Sequence, residues 1–112
     1  MANDFKSATA TSLAIDSGTY TTLYTAPGSK TSIILDIDIA NKHSADITTS
    51  VLISDSSGSN DAFIVKAAPV PIGGALKVVS GQKIVMETGD VLKAAASVAS
   101  AADAVVSILE DV

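Results

Sequence analysis

Between Ser32 and Asn41 the chain reads S-I-I-L-D-I-D-I-A-N. Ile33, Leu35, Ile37 and Ile39 alternate with Ile34, Asp36, Asp38 and Ala40. A period of two places the first set on one face and both aspartates on the other. A helix would scatter the same apolar residues around its circumference. Isoleucine is β-branched and suits a pleated surface. The stretch predicts a long strand with Ile33, Leu35, Ile37 and Ile39 facing a core. It is entered through A-P-G-S (Ala26 to Ser29), where Pro27 presets one turn position and Gly28 permits positive φ at the next, as in a type II turn. It leaves through the polar, turn-rich segment Asn41 to Asp46. Ile47, Thr49, Val51 and Ile53 then alternate with Thr48, Ser50 and Leu52. The expectation is a returning strand paired with the first as a hairpin. One apolar face on such a pair demands a second layer to cover it.

The remaining chain reads as that layer. Residues 1–4 suggest a short tail. Phe5, Ser7, Thr9, Thr11, Leu13 and Ile15 alternate weakly, as in an edge strand or one that pairs with another subunit. Asp16-Ser17-Gly18 marks a turn. Thr19 to Thr25 is a strand by its Thr and Tyr content. Asp55 to Asp61, D-S-S-G-S-N-D, is a polar loop, and Ala62 to Ala67 a short strand. Pro69-Val70-Pro71 lacks two ladder donors, so it belongs on an edge or at a crossing between sheets, closed by Gly73-Gly74. Ala75 to Val79 and Lys83 to Glu87 are short strands separated by Ser80-Gly81-Gln82. Thr88-Gly89-Asp90 is a further turn.

The end of the chain has two readings. Val91, Ala95, Val98, Ala102, Val105 and Leu109 fall at helical spacing, and alanine favours a helix. Strands over Val91 to Val98 and Ala104 to Glu110 fit as well, and the run of punctuated strands before them favours this second reading. The predicted fold is an all-β antiparallel sandwich, jelly-roll-like, of about eight or nine short strands. Residues 1–15 form an N-terminal arm or edge strand and residues 16–112 a single sandwich domain.

Composition narrows the function. With 47% hydrophobic residues the chain is too apolar for disorder, and its length of 112 residues supports one modest core. There is no cysteine, hence no disulfide or thiol chemistry. Seven lysines against 12 acids give a net charge of −5. Nucleic acid and anionic membranes both demand a cationic footprint and are not expected partners. No apolar run approaches the length of a membrane-spanning helix, and the N-terminus lacks the apolar centre of a signal peptide.

No constellation of catalytic residues emerges. Asp36 and Asp38 share a strand face, but no third acid or histidine is placed beside them, so a solvent-facing stripe or contact with a partner's lysines explains them better than a metal site. The loop from Asp55 fails the calcium-loop pattern, with Asn60 where glycine is required and Lys66 where glutamate is required. His43, the single histidine, stands in a turn, too close to Ser44 and Asp46 for a triad. Gly73-Gly74 and Gly81 lack the lysine pattern of a phosphate loop. The chain is read as a non-enzyme without a cofactor. Phe5, Tyr20, Tyr24 and Phe63 are few and scattered, as for packing or interfaces.

The run Y-T-A-P-G-S-K-T-S-I-I-L-D-I-D-I-A-N (Tyr24 to Asn41) resembles a segment of small virion proteins of tailed bacteriophages, including marine phages and cyanophages. K-A-A-P-V-P-I-G-G-A-L (Lys66 to Leu76) and G-Q-K-I-V-M-E-T-G-D-V-L (Gly81 to Leu92) are similar to the rest of that pattern. The resemblance spans roughly residues 20–110 and concerns turns and core strands, so no site transfers by residue. It implies a β-sandwich subunit of the particle, made in the host cytoplasm. The role would be capsid decoration or cement or, alternatively, a neck, tail or baseplate component. A surface glycan-binding module is a further alternative. The implied partners are the major capsid protein, other virion proteins and further copies of the chain. Candidate interface residues are Phe5, Leu13 and Ile15 on the arm, with Tyr20 and Tyr24 beyond it.

Overall fold

The computed structural model describes residues 3–16, 20–29, 31–55 and 60–111, with the backbone alone for residues 3, 79–82 and 111. The strands are β1 (Asn3–Ala10), β2 (Thr21–Thr25), β3 (Thr31–Asn41), β4 (Ile47–Asp55), β5 (Asn60–Val70), β6 (Ala75–Met86), β7 (Val91–Ala96) and β8 (Ala102–Asp111). Residues 17–19 of the first expected turn and the start of the next strand, the centre of the loop from Asp55 to Asp61, and Met1 and Ala2 of the tail lie outside the described residues.

The strands form two four-stranded antiparallel sheets, ordered β1-β8-β3-β6 and β2-β7-β4-β5. Every connection except β4 to β5 carries the chain from one sheet to the other. This is jelly-roll topology. The expected β3–β4 hairpin is therefore corrected. β3 pairs with β6 and β8, whereas β4 pairs with β5 and β7. Lying in opposite layers, β3 and β4 bring Ile34, Ile37 and Ile39 of one and Ile47 and Val51 of the other into the same core between the sheets.

The phase of β3 is also corrected. Ser32 and Ile34 point inward, then Ile37, Ile39 and Asn41. Leu35 is an extra residue opposite β8, because Ile34 faces Ile108 while Asp36 faces Ser107. This bulge reverses the alternation. Ile33 and Leu35 are only half-buried, whereas Ile34, Ile37 and Ile39 are fully enclosed. On its other side β3 meets a β6 that carries its own extra residues, since Ile34 faces Ile84 and Asp36 faces Ser80. The segment Ser80-Gly81-Gln82, expected as a turn, runs within this one continuous strand and absorbs the mismatch.

The chain end forms β7 and β8, with Leu92, Ala94, Ala96, Ala102, Ala104, Val106 and Ile108 buried. Helical propensity of the alanines yields to the β-sheet, because their small side chains let two layers close over them. In the entry turn positive φ falls on Ser29 (62°) rather than on Gly28. Pro69 lies in edge strand β5 opposite Thr48, and the following turn, closed by Gly74 N–H to Pro71 carbonyl at 2.9 Å with Gly73 at φ 71°, crosses to β6.

One core position is imperfect. Thr49 is 1% exposed, and its Oγ1 is buried without a hydrogen-bond partner. A buried hydroxyl without a partner is destabilising. Thr49→Val is expected to stabilise the fold by about 1 kcal/mol, seen as a higher urea midpoint at unchanged slope. A lower midpoint would mean that the hydroxyl is satisfied in solution.

Candidate interaction surface

Register across the β1-β8-β3-β6 sheet aligns Phe5 with Leu109, Leu109 with Ile33, and Ile33 with Val85. These residues alternate with the inward set, so they form one apolar row across the outer face of the sheet. Phe5 is 78% exposed and Val85 59%, while Leu109 and Ile33 between them are half-buried. Val105, 47% exposed, adds to the same face four residues along β8, beyond Ser107. A contiguous apolar stripe on an outer face is the type of feature that marks a docking surface.

Polar groups frame the row. Asp36 and Asp38 lie on this face opposite Ser107 and Val105. Lys77 Nζ sits 3.0 Å from Asp38 Oδ1 and 3.8 Å from Asp36 Oδ2. The hydrogen bond to Asp38, and then the charge of Asp36, raise the Lys77 pKa above its ordinary value. The aspartate pair is thus bridged by a lysine of the same chain. Among the described residues no group of three His, Cys, Asp or Glu side chains could hold a metal ion. Farther along, Lys42 Nζ lies 2.8 Å from Asp103 Oδ1. That contact, with the Ser12 N–H as a second donor, holds the Asp103 carboxyl below the usual range.

The five expected interface residues separate. Phe5 is the exposed end of the row. Ile15 is 46% exposed and bridges Ala96 on the other sheet. Tyr20 is half-buried, donates to Asp16 Oδ1 at 2.8 Å and stands edge-on to Phe63, with ring centroids 6.3 Å apart. Lys66 Nζ covers the Phe63 ring at 4.4 Å. Leu13 must be corrected: it is fully buried and offers no surface. Its backbone joins it to the core, with its N–H donating to Ala102 and its carbonyl accepting from Ser100.

Tyr24 is corrected as well. It pairs with Leu92, points between the sheets and ties one layer to the other. Its hydroxyl donates to Glu110 Oε2 and lies 2.7 Å from Ser32 Oγ. Glu110 is 2% exposed, and Lys6 Nζ approaches its Oε1 at 3.1 Å. A buried carboxylate is tolerable because cation and hydroxyl both meet it.

Burial and then the Glu110 hydrogen bond push the Tyr24 pKa up to about 12 from the ordinary phenol value of 10.0. The folded state thus keeps the phenol proton where the unfolded chain has released it. Stability contributed by the protonated phenol is complete below pH 10 and falls between pH 10 and 12. Partial solvent screening limits the loss to about 1 kcal/mol. Denaturation at stepped alkaline pH is expected to show this decline, and Tyr24→Phe to flatten it. An unchanged slope in the variant would assign the alkaline loss to another group.

Sequence reasoning found Phe5 but missed Leu109, Ile33 and Val85. Polarity misleads at positions 109 and 110, where the leucine faces outward and the glutamate inward. Compared with known proteins, the chain matches no family model, no curated protein and no solved structure.

Proposed function

We propose that the protein is a structural subunit of a tailed-phage virion, a capsid decoration or cement protein that docks through the outer face of its β1-β8-β3-β6 sheet. The observation that carries this reading is the in-register row Phe5–Leu109–Ile33–Val85, exposed at both ends. The likeness of Tyr24–Asn41 and the two later runs to small virion proteins supports the class. The jelly roll is consistent with it but does not select it, since lectin and cupin domains share that architecture. In this reading the protein catalyses nothing, needs no cofactor, and is retained by apolar contacts rather than by nucleic acid.

The test is quantitative mass spectrometry of purified particles of the encoding phage. Abundance comparable to that of the shell subunit supports decoration. A few copies per particle would move the protein to the neck, tail or baseplate, and absence would end the virion reading. Phe5→Ser combined with Val85→Ser should weaken binding to undecorated particles while leaving the unfolding midpoint nearly unchanged. Full binding by this variant would remove the row from the interface.

A further inference from the structure

We propose that β1 exchanges between copies of this chain, so that Asn3–Ala10 of one molecule pairs with β8 of a second. The argument begins with how little holds β1 in place. Among its described side chains none is buried; Ala8 and Ala10 are half-covered and residues 4–7 are exposed. The strand is retained by its ladder to β8, by the packing of Ala8 and Ala10 against the core and by the ion pair of Lys6 with Glu110. All three are reproduced when another copy supplies the strand.

The adjoining chain is built differently. Leu13 is fully buried and bonded at both its N–H and its carbonyl, so it stays with its own core. Between the loose strand and this anchor lie Thr11 and Ser12, both exposed. Ser12 has φ 57°, a left-handed conformation unfavourable for a residue with a side chain. Folding β1 back onto its own β8 requires that conformation. Straightening the hinge removes the strain and sends β1 away from its own body. Opposing this, Ser12 N–H donates to Asp103 at 2.9 Å and Lys42 Nζ bonds Ser12 Oγ at 3.0 Å, which hold the hinge closed.

β8 also requires a neighbour. Ala104, Val106, Ile108 and Glu110 are buried on its inner side, and departure of β1 exposes its ladder edge and uncovers the Glu110 carboxylate. The strand with matching register and a lysine at the right position is β1 of another copy. Closed and exchanged forms share every contact except those at the hinge, so hinge strain and concentration set the balance. The inference does not depend on where the protein acts.

The chain has no cysteine, which permits a direct test. Ser7 and Ser107 are register partners. The variants Ser7→Cys and Ser107→Cys are mixed reduced at high concentration, incubated and then oxidised. Exchange predicts covalent dimers linked from position 7 to position 107, in clear excess over 7–7 and 107–107 links, which report random collision. Mixed links no more frequent than random ones, with the double variant closing only within single chains, would overturn the proposal. Hinge variants give opposite shifts. Ser12→Pro cannot adopt positive φ and should raise the dimer fraction, whereas Ser12→Gly gives up the exposed Lys42 bond but relieves the larger backbone strain of the closed hinge and should lower dimerisation several-fold. Light scattering showing the same dimer fraction in both variants and in the parent would likewise refute the hinge mechanism.

Discussion

Ile34→Ala is expected to destabilise the protein by about 3 kcal/mol, while Ile33→Ala costs less than about 1 kcal/mol. Simple alternation along β3 predicts the reverse, because it groups Ile33 with Ile37 and Ile39. The bulge at Leu35 shifts the phase, and Ile34 ends fully buried between β6 and β8. Truncation there removes apolar area and leaves a cavity that the flanking strands cannot close. Ile33 instead belongs to the outer row, where a smaller side chain remains solvated. Urea denaturation of the two variants, purified in parallel, measures the contrast. Equal costs, or a larger cost at Ile33, would place the bulge elsewhere.

Asn41→Ala should cost roughly 3 kcal/mol. Asn41 is 6% exposed and stands where β3 ends and the chain crosses to the other sheet. Its Nδ2 donates to the carbonyls of Ala45 at 2.9 Å and Val70 at 3.1 Å. Its Oδ1 accepts the His43 N–H at 2.8 Å, and its own N–H reaches the Gly74 carbonyl at 3.0 Å. One side chain therefore fastens the β3–β4 crossing to the end of β5. Alanine leaves those groups without their partner, and the cost of a polar group stranded under cover exceeds the net gain of the bond it made. Asn41→Asp is an informative companion. It can still accept from His43, but as a carboxylate it donates to neither carbonyl and is expected to be at least as harmful at neutral pH. If Asn41→Asp were tolerated, the two donated bonds would not matter.

Both results concern where local pattern and global structure part. The strand content was legible because period-two alternation and turn residues are local. Asp36 and Asp38 facing out and Ile37 and Ile39 facing in follow from it directly, whereas in β4 Ser50 and Leu52 are buried along with Ile47, Thr49 and Val51, and Ile53 is only half-buried. The sandwich follows too, since strands with one apolar face require a second layer. The interaction surface was less accessible. Phe5 could be marked as an unusual aromatic on a weak strand, but the row it begins is assembled from residues near 33, 85 and 109.

The sequence by itself determined the β class, the paired layers and most of the turns among the described residues, because backbone propensity and side-chain alternation act over a few residues. Only the tertiary structure decided that β3 and β4 lie in opposite sheets, that β3 changes phase at Leu35, and that β6 runs unbroken through Ser80-Gly81-Gln82. It also decided that Tyr24 and Glu110 meet between the layers. The physical reason is that pairing partners and register are set by contacts between distant segments. Shifting register by one residue reverses which face each side chain meets without altering the local pattern.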